Sequence, residues 1–198
     1  DLDGKRGGFF YGHISTDVLR SFFKVAGINV EEVDVGFDYS PLLTNRVDAE
    51  WGFTVTAGID LPASGQPIRF ISPTSVGLQS HGYTLFARED YLGEHRSVIE
   101  RFTRATLKGL RDVVEDPKVG VTALLARDPS LAPILTMQRQ EAYTAVTTTD
   151  PSSFYFGYVD DAMIQETYAR LEDLGVLAEP FDFRESFVAE IARENQPE

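Results

Sequence analysis

Two short segments hold residue types from which a small-molecule site can be built. Tyr11-Gly12-His13-Ile14-Ser15-Thr16 gathers a phenol, an imidazole and two hydroxyls around one glycine. Its backbone N–H groups and the Ser15 and Thr16 hydroxyls suit a phosphate, a carboxylate or the polar edge of a ring. The plainer alternative is that Ser15 or Thr16 only caps a helix and His13 is a surface residue. The second segment is Asp48-Ala49-Glu50-Trp51-Gly52-Phe53, in which a carboxylate stands beside the chain's single tryptophan. An aminated heterocycle fits that pair, with Glu50 accepting from ring amino groups and Trp51 stacking on the face. Its alternative is a strand with Trp51 in the core and Glu50 in solvent. In a third segment, Gly36-Phe37-Asp38, the aspartate reads as a helix cap.

Other chemistry finds little support. His13, His81 and His95 are far apart and lie in no HExxH pattern, and there is no GxSxG, Walker loop or GxGxxG. No catalytic residue, no metal site and no cofactor is therefore assigned. The absence of cysteine removes disulfides, thiol catalysis and thiolate metal sites. Arg101, Arg104, Lys108 and Arg111 line one face of a long helical stretch, which reads as a solvated face or a dock for an acidic partner.

The elements that must position these groups alternate. A strand over Lys5–Phe10 is followed by a helix over Asp17–Ala26 with Gly27 as C-cap and Val18, Leu19, Phe22, Phe23 and Ala26 as its buried stripe. A strand over Asn29–Val35, a short helix from about Pro41 to Asn45, and strands over Val47–Phe53 and Pro67–Ile71 follow, with a short helix or turn ending near Ala63-Ser64-Gly65. This spacing predicts βαβ units with a parallel sheet, hence an α/β fold whose ligands sit outside the carboxyl ends of the strands. After one more strand over Gly82–Ala87, the chain reads as helical. The stripe from Val98 to Val114 ends at Asp116-Pro117, and helices follow over about Lys118–Ala126, Ala132–Val146, Asp161–Leu174 and Arg184–Ala192.

The chain has 198 residues and a net charge of −13. That balance argues against nucleic acid as a partner, because phosphate backbones attract cationic surfaces. Residues 150–198 hold twelve acids and three arginines, so most of the charge is a solvated surface of the last quarter. No apolar run approaches the ~20 residues of a membrane span, and the amino end has no signal-peptide layout, so any export signal is expected upstream.

Four segments in order carry a family resemblance: GKRGGFFYGHISTDVLRSFFKVAGI, VEEVDVGFDYSPLLTNRVDAEWGF, RFTRATLKGLRDVVEDPKVGVTALLARDP and the Met163–Leu177 stretch ending LEDLGVL. Together they resemble the extracytoplasmic solute-binding proteins of ABC importers, in the branch related to thiamine-pyrimidine-precursor synthesis and uptake, with sulfonate, nitrate and riboflavin binders nearby. The resemblance implies a periplasmic-binding-protein-like lobe with a small, mostly parallel sheet over residues 1–80. A hinge strand and a helical carboxy-terminal segment over 81–198, which in the family completes the other lobe, would follow. It implies a small polar heterocycle as ligand, held by Tyr11, Gly12, His13, Ser15, Thr16, Glu50 and Trp51. It also implies ABC transporter membrane subunits as partners and a periplasmic or cell-surface location. Family members carry a further stretch before the GKR segment, so the rest of the cleft is expected from upstream sequence, from a second copy in a homo-oligomer, or from another chain. Thr54-Val55-Thr56-Ala57-Gly58 stands where the family often has an Asn-Gln-Pro element. Two alternatives share the fold: a pyrimidine-precursor biosynthesis enzyme, whose eukaryotic members depend on a cysteine-rich motif that is absent here, and a ligand-sensing domain of a regulator.

Overall fold

Gly7 leaves room for the Phe9 ring, and Gly8 for the Glu50 and Val35 side chains, along the first strand. In the computed structural model, which describes residues 2–78, 84–147, 161–175, 177 and 179–196, β1 (Arg6–Phe9) is the centre of a three-stranded parallel sheet. Its partners are β2 (Glu31–Asp34), paired Gly7 with Glu32, and β3 (Ala49–Glu50), paired Gly8 with Glu50. The α/β class with a small parallel sheet is as the sequence predicts. β3 is shorter than the expected Val47–Phe53, because only two of those residues find β1. Arg6 fixes that register: its backbone N–H, Nε and Nη2 all donate to the Asp48 carboxylate at 2.9, 3.0 and 2.8 Å. The guanidinium holds Asp48 far below the usual carboxylate range.

Between β1 and β2 runs α1 (Ile14–Ala26), closed by Gly27 in the left-handed region at φ 65°. Its apolar stripe buries Phe22 and Phe23 against Phe9, with Leu78 completing the cluster. Full burial of such side chains is worth about 1.5–3 kcal/mol each. Side chains alternate along a strand, so Gly7 and Phe9 face α1 while Gly8 faces the other side of the sheet. Two short helices follow β2 and β3 respectively, α2 (Ser40–Leu43) and α3 (Ala57–Ala63). A 3-10 turn at Pro73–Val76 packs on α1.

Two expected strands are corrected. Pro67–Ile71 is irregular, with Phe70 and Ile71 exposed, since no sheet edge accepts its backbone. Of Gly82–Ala87, residues 82 and 83 lie outside the described residues and 84–87 form no strand.

The helical part contains α4 (Glu89–Glu115), with non-helical angles at His95, then α5 (Pro117–Arg127) and α6 (Pro133–Thr147). Asp116 caps α5 by accepting from the Lys118 N–H at 3.0 Å. At Gly120 an added Cβ would lie 2.8 Å from Val113 Cγ2, so only glycine lets α5 approach α4 this closely. After α7 (Asp161–Asp173) comes a 3-10 turn at Phe183–Ser186, and only then α8 (Ala189–Glu194), shorter than the expected Arg184–Ala192. The chain divides into two compact units, one of residues 1–80 with 162–181, the other of 81–161 with 182–198. No helix among the described residues is long and apolar enough to cross a membrane.

Candidate functional site at the carboxyl edge of the sheet

Three parallel strands ordered β2-β1-β3 deliver their outgoing loops to one edge. From β1 the chain passes Phe10 and turns at Tyr11-Gly12, where Gly12 adopts φ 80°. That turn brings His13, and not Ser15 or Thr16, to the N-cap of α1. Helix α1 therefore begins three residues earlier than Asp17, and the two hydroxyls fall inside its first turn. His13 Nδ1 accepts from the Ser15 N–H at 3.2 Å and lies 2.9 Å from Ser15 Oγ. An accepting Nδ1 places the proton of the neutral ring on Nε2. Thr16 Oγ1 donates to the Phe10 carbonyl at 2.7 Å, tying helix to strand. Phe10, His13 and Phe37 form a ring cluster with centroids 5.0–5.5 Å apart, and Phe37 is 74% exposed.

A cavity of about 470 Å³ opens over this loop, lined by Tyr11, Gly12, His13, Ile14, Thr16, Asp17 and Arg20. Four of the residues named from sequence thus meet in it. Ser15, 2% exposed, lies outside the lining and supports His13 from below. Arg20 donates Nε and Nη2 to the two oxygens of Glu32 at 2.8 and 2.7 Å, and its guanidinium stands 5.8 Å over the Tyr11 ring. Burial pushes the Tyr11 phenol up, and its hydrogen bond to Glu32 adds to that. Arg20 holds Glu32 below its ordinary value. Sequence reading missed Asp17, Arg20 and Glu32. No sequence signal links Arg20 to Glu32, which meet only because β2 pairs Glu32 with Gly7 on the face that α1 covers.

Glu50 and Trp51 stand at the next strand end and are not in that lining. Glu50 is register partner to Gly8, and its Cγ lies 3.1 Å from where a Gly8 Cβ would be, so its side chain is on the face opposite α1. Burial raises its carboxyl to about 7, with the Leu42 backbone N–H opposing and Asp38 assisting. Glu50 Oε2 and Trp51 Nε1 are both buried without a hydrogen-bond partner among the described residues. Trp51 meets Phe53 edge-on at 5.8 Å. Tyr39 completes the group, its phenol pushed up by burial and by the charges of Glu50 and Asp60. Asp38 accepts from the Ser40 N–H at 2.8 Å but is not the helix cap expected from sequence, since α2 takes Tyr39 as its N-cap with no side-chain cap bond. The helical basic stripe turns partly to its own chain: Arg104 donates to the buried Asn195, and Arg111 reaches Glu115.

Glu50 Oε2 is a hydrogen-bond acceptor and Trp51 Nε1 a donor, the two kinds of group that the polar edge of a flat ring can pair with. Among the described residues no three His, Asp or Glu gather as a metal site.

Residues 1–119, more than half the chain, match the NMT1/THI5-like family. The chain belongs to that family. A formylaminopyrimidine-binding protein of Halalkalibacterium halodurans (strain C-125) is 28% identical over 149 residues, covering 72% of this chain and 45% of that protein. The NMT1/THI5-like chain thus spans less than half the length of this curated relative. The family agrees with the pyrimidine-precursor branch drawn from the four sequence segments.

Proposed function

We propose that this chain is the ligand-binding part of an extracytoplasmic solute-binding protein that delivers an amino-substituted pyrimidine of the thiamine-precursor class to an ABC importer. One observation carries the reading: Glu50 Oε2 and Trp51 Nε1, an acceptor and a donor adjacent in sequence, are both orphaned at the carboxyl edge of the sheet. Leaving such groups unpaired costs about 1–3 kcal/mol each. An aminopyrimidine offers the complement, an exocyclic N–H for the carboxylate and a ring nitrogen for the indole. The name of the similar Halalkalibacterium protein and the family membership support the same ligand class.

Because both atoms are buried, the side chains around them must part to admit a ring and then close over it. Contacts made only in the closed state would couple occupancy to docking on membrane subunits. Tyr11, Gly12, His13 and Thr16 would hold the substituent that projects toward α1, with Ser15 fixing the His13 ring. We assign the chain no reaction. Isothermal titration of the full chain with formylaminopyrimidine and hydroxymethylpyrimidine tests the proposal. Saturable heat with one of them is expected, and no heat with either would overturn it.

A further inference from the structure

The cavity at the start of α1 has two ingredients of an anion site, a helix N-terminus and an arginine. Both are already compensated. The Nε and Nη2 donors of Arg20 are occupied by Glu32 in bidentate geometry at 2.8 and 2.7 Å, the arrangement in which a guanidinium would otherwise grip a phosphate. Asp17 lines the same cavity from the first turn of α1 and offsets the positive helix end. Asp17 and Glu32 against Arg20 leave this corner with one net negative charge. Glu32 does not line the cavity; it acts through Arg20 and through Tyr11, whose ring lies under the guanidinium.

We propose that Glu32 is a specificity-determining positioning residue. By filling the fork of Arg20, it makes this cavity accept an uncharged hydrogen-bonding substituent of the ligand and reject a phosphate ester at the same position. The inference rests on the proposed pyrimidine site and sharpens it to the unphosphorylated class. Without Glu32, the Arg20 fork would be free beside the α1 N-terminus, and the preference should fall or reverse.

The test compares hydroxymethylpyrimidine with its monophosphate ester on the wild-type chain and on Glu32→Gln. The wild type is expected to favour the free alcohol by about tenfold or more, and Glu32→Gln to shrink that ratio by at least about tenfold, with the gain on the ester side. A separate arm uses inorganic phosphate alone, read by NMR at the His13 ring. Saturable shifts are expected in Glu32→Gln, none in the wild type, and none once Arg20→Gln is added to Glu32→Gln. Equal or tighter ester binding by the wild type overturns the inference and needs no variant. So does an unchanged ratio in Glu32→Gln, or phosphate binding that survives Arg20→Gln. If wild type binds neither pyrimidine, the proposed function fails, while the phosphate arm still judges Glu32 by itself.

Discussion

A carboxyl that is half protonated near neutral pH can meet a ligand as acceptor or as donor, and Glu50 is held in that state by burial. The same burial has a consequence for stability that needs no ligand. The unfolded glutamate releases its proton near 4.5 and the folded one near about 7, so in that window the folded state binds more protons. Stability is therefore fully present below 4.5 and declines as pH rises through about 7. In Glu50→Gln this slope should be absent. Thermal melts of both proteins at several pH values across the window should show wild type losing Tm relative to the variant on the alkaline side; parallel profiles would remove the shift. Gly8 belongs to the same account, since a side chain there would meet Glu50 Cγ at 3.1 Å and both Val35 methyls at 3.3 Å.

At the scale of elements, the turn Tyr11-Gly12 and the helix it starts carry the cavity. His13 both caps α1 and lines the pocket, and two substitutions separate these roles. His13→Ala is expected to cost about 1 kcal/mol through loss of the cap. His13→Asn, whose carbonyl can accept the same N–H, should recover most of that stability while failing to recover affinity for the ring, as denaturation and titration of both variants would show. The α1 stripe of Phe22 and Phe23 and the Gly27 stop were legible in the sequence, because periodic apolar residues and a left-handed glycine act locally. The cap was not legible. Ser15 and Thr16 have the right chemistry, but the chain reverses at Gly12 and places His13 where the free N–H groups point. Strand ends were equally hidden: Phe70 and Ile71 have strand-like side chains, yet pairing requires a neighbour that only the tertiary fold supplies. Glu50 and Trp51 drew notice as an acid beside the single tryptophan, and each holds a buried atom without a hydrogen-bond partner among the described residues. Arg20 and Glu32 did not, because their bond spans a helix and a strand.

At the scale of the molecule, the family match over residues 1–119 covers β1 to β3 and the whole candidate edge. The net charge of −13 is concentrated elsewhere, with nine of the excess negatives after residue 149, so it describes an outer surface more than the ligand. Under the proposed function, one flat, amino-bearing ring satisfies Glu50 and Trp51 together. The lone tryptophan makes this directly observable, since any change of indole emission reports Trp51 itself. The decisive measurement is the titration of formylaminopyrimidine into the wild-type chain and Glu50→Gln, followed by Trp51 fluorescence. Saturable change in wild type, with affinity reduced by at least about tenfold in Glu50→Gln, is the predicted result for loss of a charged hydrogen bond. Equal affinity in the two proteins, or no response of Trp51 while calorimetry registers binding, would contradict the account.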